Sequence, residues 1–322
     1  MNARIVSGDV AGIYLEFALN FYSVQANFDF CRPHALRCKG MAPTRSPLER
    51  SPMNKYAPCA LFIAVASLSA TAAESEPQLK MTMSLGLQAR EVEVSDRASP
   101  YKNSGTSGTA SLSAQLNPVT SLALTLSYSL DQAKSNDQQT QGTIRAQTGA
   151  VSITRYIGSG RFVSGSLSYG TNALENQASG IGYKTSADAL AAGVGITQMI
   201  PLSRSLTSSI GLSYARVVNN IDSYSNSAGT RVDGQVLASD MLSLAGGLQW
   251  NLGRWSPSLS LSVSRPSTSF SLANSDQNPL DFGAGLGYTL AKDRRLNFSY
   301  GASVGQSGVR DSNLGVNLSF PF

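Results

Sequence analysis

From Leu79 to the C-terminus the chain keeps returning to strict alternation between apolar and polar residues. Leu79, Met81, Met83, Leu85 and Leu87 interleave with Lys80, Thr82, Ser84, Gly86 and Gln88. Leu122, Leu124, Leu126, Tyr128 and Leu130 follow the same rule, as do Leu259, Leu261 and Val263, then Leu296, Phe298 and Tyr300, and finally Leu314, Val316, Leu318, Phe320 and Phe322. Successive side chains on a strand point to opposite faces, so a period of two marks strands with one apolar and one polar face. Extending the pattern along the chain predicts twelve strands: 78–90, 108–116, 121–131, 143–157, 161–171, 185–200, 205–218, 238–252, 254–264, 280–291, 294–305 and 312–322. Merging or splitting one hairpin would give ten or fourteen.

The connections alternate as well. Short ones fall at Asn117-Pro118-Val119-Thr120, Gly158-Ser159-Gly160, Pro201-Leu202-Ser203-Arg204, Gly253 and Lys292-Asp293. Between them lie five long polar segments, Glu91 to Ser107, Asp131 to Gln141, Asn172 to Lys184, Asn219 to Leu237 and Arg265 to Pro279, and a shorter one from Gln306 to Asp311. Tight turns at one end, long loops at the other and an even strand count are the plan of a transmembrane barrel with both termini on the turn side. A soluble β-sandwich also alternates. Here, however, the polar face is Ser, Thr, Gly, Ala and Asn with few charges, and aromatics collect near strand ends: Tyr128, Tyr156, Tyr169, Tyr214, Trp250, Trp255, Tyr288, Phe320 and Phe322. Such residues form the girdles of membrane barrels. The expected fold is an all-β transmembrane antiparallel barrel occupying residues 74–322.

The first 73 residues differ in kind. Residues 53–73 place Met53 and Lys55 ahead of an apolar core, Ala60 to Leu68, followed by the small-residue pattern Ala70-Thr71-Ala72. This is the layout of a secretory signal peptide, with cleavage expected after Ala72 or Ala73. Residues 1–52 show no clean period and precede a complete leader with its own Met, so they are read as an extension outside the fold, with translation starting at Met53 or Met41. Cys31, His34 and Cys38 lie there, one ligand short of a structural zinc site.

Charge adds little at this level. Lys/Arg exceed Asp/Glu by five over the whole chain. From Glu74 onward, 18 Lys/Arg face 16 Asp/Glu, so the exported part carries no electrostatic footprint for nucleic acid. No apolar run approaches the roughly 18 residues of a membrane-spanning helix.

The C-terminal strand, Leu314-Gly315-Val316-Asn317-Leu318-Ser319-Phe320-Pro321-Phe322, resembles the terminal signal of Gram-negative outer-membrane proteins. That resemblance implies that Phe320 and Phe322 are read by the outer-membrane assembly machinery, and that the surroundings are outer-membrane lipid and lipopolysaccharide. The size, the twelve-strand plan and the stretch from Gly158 to Tyr224, with its Gly-Ser-Gly-Arg turn, also resemble the translocator barrel of autotransporters. One departure is plain: the first strand starts within about five residues of the expected cleavage site, which leaves no room for a passenger or a pore-threading helix.

Catalysis is not expected. No His or Cys occurs after residue 73, so a Ser–His or Cys–His arrangement cannot be built in the exported part. Gly211-Leu212-Ser213-Tyr214-Ala215 approaches a nucleophile-elbow pattern but sits mid-strand. Gly283-Ala284-Gly285-Leu286-Gly287 lacks the helix a dinucleotide site needs. The carboxylates Asp131, Asp137, Asp222, Asp233, Asp276 and Asp281 fall in the expected outer loops without calcium-loop spacing. No metal or cofactor is expected. The inward charges that parity assigns are Lys80 near the turn end and Arg90 near the outer end, and lumenal charges tune selectivity; equally, both could contact solvent or headgroups at strand ends. Two functions remain open: a small, weakly selective porin-like channel for small solutes, or a passenger-less autotransporter-type barrel acting through its long surface loops as an adhesin or binding protein.

Overall fold

In the computed structural model, the described residues are 80–95, 100–135, 140–178, 181–266, 280–304 and 308–321. The expected leader, the extension before it, Asp137, Asp276 and Phe322 lie outside them. The strands are β1 (Lys80–Val94), β2 (Tyr101–Asn117), β3 (Thr120–Ser135), β4 (Thr140–Gly158), β5 (Arg161–Ala178), β6 (Ile181–Pro201), β7 (Leu206–Ile221), β8 (Tyr224–Ser225), β9 (Arg231–Val232), β10 (Gln235–Trp250), β11 (Trp255–Pro266), β12 (Leu280–Ala291), β13 (Arg294–Val304) and β14 (Val309–Pro321). Twelve of them close into one antiparallel barrel in the order β1-β14-β13-β12-β11-β10-β7-β6-β5-β4-β3-β2, and β8 and β9 form a separate small hairpin. All twelve predicted strands are present. The ring closes where β1 meets β14, in continuous register from Thr82 opposite Pro321 to Val94 opposite Val309.

The alternation sorts every strand into two faces. Leu87 is 68% exposed, Leu314 62% and Val194 61%, all on the outer surface, while Gly86, Gly315 and Gly193 beside them face in. An exterior of exposed Leu, Ile, Val and aromatic side chains suits hydrocarbon and would aggregate in water. Among the described residues no large side chain is fully buried, as expected of a hollow wall.

Following registered partners from Arg90 in one direction passes Gly105, Asp131, Ile144 and Leu174 to reach Thr185 on β6. The other direction passes Asn313, Gly301, Gly283, Ser260, Gly247 and Ser209 and reaches Met199, fourteen residues away. That stagger is the shear that tilts the strands and sets the width of the tube.

The outer end corrects the sequence reading. The segments from Glu91 to Ser107, Asp131 to Gln141 and Asn172 to Lys184 are mostly strand: β1 runs to Val94, β2 begins at Tyr101, β3 runs to Ser135, and β5 and β6 extend to Ala178 and from Ile181. Ladder hydrogen bonds continue past the apolar band, where outward positions become Glu91, Glu93, Lys102, Arg145, Glu175 and Lys184. Opposite charges on neighbouring strands hold this rim, with Lys184 Nζ 3.1 Å and Arg145 Nη1 3.6 Å from Glu175 Oε1, and Lys102 Nζ 2.6 Å from Glu91 Oε1. The β8–β9 hairpin docks on the top of β6. Asn226 bridges to Tyr183, the Ser227 amide donates to the Gly182 carbonyl, and Tyr183 stacks on Tyr224 with ring centroids 4.8 Å apart. The wall is tallest here: β4, β5 and β6 span 19, 18 and 21 residues against 12, 12 and 11 for β11, β12 and β13.

A second correction concerns Tyr156. It falls on the inward parity of β4 and meets Phe162 of β5 with centroids 5.2 Å apart, so it is not part of the outer girdle. Trp255 and Tyr288 do face outward as a pair, 4.5 Å apart.

The turn between β4 and β5 shows why the short connections hold. Gly158, Ser159 and Gly160 all have positive φ (96°, 51° and 74°), the backbone twist a two-residue hairpin turn demands. A Cβ at Gly160 would also stand 2.4 Å from the Met199 carbonyl oxygen of β6. Gly160→Val is therefore expected to cost about 2 kcal/mol or more, from αL strain plus displacement of β6, read as a lower unfolding midpoint in denaturant.

Candidate lumenal site

Over the middle of the wall the inward faces are built mainly from small side chains, with bulkier ones toward the ends, such as Tyr156 and Phe162 on the turn side and Leu174, Val217 and Ile221 on the outer side. β11 presents Ser256, Ser258, Ser260, Ser262 and Ser264, and β12 presents Gly283, Gly285 and Gly287 opposite them. A Cβ at Gly285 would lie 2.5 Å from Ser258 Oγ, and one at Gly283 would lie 2.3 Å from Ser260 Oγ, so serine hydroxyls occupy the space the glycines leave. Short side chains at this level leave inward positions such as Thr109 and Ser213 exposed to solvent.

Against this plain lining, the inward charges stand out. Apart from Lys80 at the first residue of β1, the described inward charges on the strands are Arg90, Asp131, Asp281, Asp311 and Arg295. Four of them form one constellation near the outer end. Arg90 Nε donates to Asp311 Oδ1 at 3.0 Å, and Nη2 pairs with Oδ2 of the same carboxylate, a bidentate fork between β1 and β14. Asp281 on β12 accepts from Ser303 Oγ on β13, and Ser303 is registered against Asp311. Asp131 on β3 is the registered partner of Gly105. A Cβ there would overlap Asp131 Oδ1 at 1.9 Å, so glycine makes the room in which the carboxylate lies. Three carboxylates face one guanidinium, a surplus of two negative charges on one arc of the mouth. β7, the strand diametrically opposite β1 in the ring, carries Ala215, Val217 and Ile221 inward, and the next two strands on one side, β6 and β5, add Ala187 and Leu174.

Arg90 lies on the inward face near the outer end, paired with Asp311 through Nε and Nη2. Lys80 has inward parity and is exposed at the turn end. Asp131, Asp281 and Asp311 are a correction: they belong to strands on the inward face, not to loops. The signal was available, since Asp281 stands between Leu280 and Phe282 and Asp131 directly follows Leu130. Arg295, which no pattern singled out, lies over Gly287 in the turn-side half of the lumen. Its guanidinium nitrogens are 2.5 and 2.7 Å from where a Gly287 Cβ would be, and its Nε has no hydrogen-bond partner. Arg216, on the outer face, pairs with Asp240 at 3.6 Å, and the Tyr214 hydroxyl donates to the same carboxylate at 2.6 Å. Phe320 faces outward opposite Met83.

A closed antiparallel ring with an apolar exterior and a polar, glycine-rich interior defines a transmembrane β-barrel of the outer-membrane type. Within that class the architecture is similar to autotransporter translocator domains. The translocator domain of autotransporter NalP from Neisseria meningitidis superposes with a TM-score of 0.65 at 14% identity, over 83% of this chain and 97% of that one. The β domain of the Bordetella autotransporter BrkA gives 0.64 at 13% identity, over 76% and 100%. An outer membrane channel from Pseudomonas putida F1 gives 0.51 at 12% identity, over 78% and 98%. No protein-family model matches the chain, and no curated protein sequence matches it.

Proposed function

We propose that this chain is an outer-membrane pore for small solutes, weakly selective, with its turn end facing the periplasm and its charged mouth facing outward. The observation that carries this reading is the lining: over the middle of the wall mainly hydroxyls, glycines and alanines face the axis of a twelve-strand tube, with one charged constellation at the mouth. Surplus carboxylate at a pore mouth concentrates cations there. Arg295, farther in, opposes that preference and keeps it weak.

The test is single-channel recording of residues 74–322 refolded into a planar bilayer, after a gel shift between unheated and boiled samples shows folding. Steady conductance steps are expected, with a reversal potential in a salt gradient that favours cations. Asp131→Asn together with Asp281→Asn should move it toward anions by removing the surplus. A folded but silent barrel would overturn the pore reading. It would favour the second, in which the tall β4–β6 wall with its docked hairpin is a rigid surface for binding.

A further inference from the structure

The near-neutral total charge conceals a separation by height. Among the described residues there are 17 Lys/Arg and 11 Asp/Glu. Eight of those cations stand at the turn end of the barrel, where Asp293 is the one described carboxylate. The outer half holds the other nine cations and ten carboxylates. Cations there are commonly paired, as Arg90, Lys102, Arg145, Lys184 and Arg216 are. At the turn end no ion pair joins any cation to a described carboxylate.

Six of the eight ring the wall rather than the lumen. Arg155, Arg161 and Arg294 lie on the outward parity of β4, β5 and β13, next to the apolar residues Ile153, Val163 and Leu296 on the same faces. Arg204, Arg254 and Lys292 lie in the short turns, and all six are exposed. Among the described residues their side-chain partner is neutral: Arg161 Nε donates to Gln198 Oε1 at 3.2 Å. The Trp255–Tyr288 pair, also outward, marks the same level. Cations at the edge of an apolar band reach past it with their methylene stems, and aromatic residues beside them sit at headgroup depth.

We infer that this collar is a docking surface for anionic phospholipid headgroups of the leaflet on the turn side. The inference rests on the membrane placement above and adds which leaflet the barrel reads and with which residues. Unpaired guanidinium groups supply paired N–H donors for phosphate oxygens, and each cation near an anionic surface contributes about 1 kcal/mol, lost as salt screens it. An acidic protein partner would need the turns alone. The position of Arg155, Arg161 and Arg294 on the lipid-facing parity favours lipid.

The experiment refolds residues 74–322 into vesicles of phosphatidylcholine, alone or with about one part in five phosphatidylglycerol, and follows loss of the heat-modifiable folded band with temperature. Anionic lipid is expected to raise the midpoint at low salt, and about 0.5 M salt to abolish the gain. Arg155→Gln with Arg161→Gln and Arg294→Gln should lose most of the gain, whereas Lys102→Gln with Lys134→Gln at the outer rim should keep it. A gain that is absent in the parent protein, indifferent to salt, or equal in the collar variant would overturn the inference. If the collar variant does not fold, the salt dependence of the parent protein and the outer-rim variant decide. Failure to insert into either bilayer would instead sink the membrane placement itself.

Discussion

Ser213→Trp combined with Thr109→Trp is expected to cut single-channel conductance by about fivefold or more while leaving the barrel folded and heat-modifiable. Ser213 on β7 and Thr109 on β2 are inward, solvent-reached positions on almost opposite sides of the ring. Neither has a backbone conformation that excludes a large side chain, as neither is among the positive-φ residues. Two indoles projecting from facing walls would occupy much of the space the small lining leaves, whereas the same substitutions on the lipid face would not change the current. Recording the double variant beside Leu212→Trp, which points outward, separates obstruction of the lumen from a general disturbance of the wall. Equal currents from the lumenal and lipid-facing variants would mean that ions do not pass along this axis.

Arg90→Gln is expected to be the most destabilising single change among the lumenal charges. It leaves Asp311 without its bidentate partner and places three carboxylates on one arc without a counter-charge. The Arg90 and Asp311 side chains are 27% and 18% exposed, so lumenal water screens part of the effect. A cost of about 1–3 kcal/mol is expected, below that of a fully buried pair. Asp311→Asn added to Arg90→Gln should recover part of that loss. The four-way cycle, measured by denaturant unfolding in detergent, isolates the pairing free energy, and additive costs would show that the fork contributes nothing. Where it conducts, Arg90→Gln should also be more cation-selective than the parent, because the surplus at the mouth grows.

Period two was enough to locate all twelve barrel strands, because bilayer contact on one face and water on the other enforce it wherever the wall crosses hydrocarbon. It failed where the hydrocarbon ends. Beyond Ala89, β1 continues as Arg90-Glu91-Val92-Glu93-Val94 with Val inside and Glu outside, a reversed polarity that reads as loop although the ladder persists. Asn172 to Gln177 and Ile181 to Lys184 behave the same way. The acidic half of the mouth was missed for that reason: Asp131, Asp281 and Asp311 sit where the apolar signal fades but hydrogen bonding does not. Arg295 was hidden differently. It stands beside Arg294 at a turn, and only the register separates the arginine that looks inward from the one that looks outward. The basic collar left no trace in net charge, because a linear tally adds residues that the fold stacks at opposite ends.

The seam between β1 and β14 gives the molecule a cyclic character. Both strands reach the turn-side rim, one beginning there at Lys80 and the other ending there at Pro321. Five short turns already join neighbouring strands at that rim, and the seam occupies the place of a sixth. In space the barrel is therefore six hairpins around a ring, and covalent order is an arbitrary cut through it. Bridging the two ends with a short linker and opening the chain at another turn, such as the one at Gly253, would describe the same wall with a different first residue.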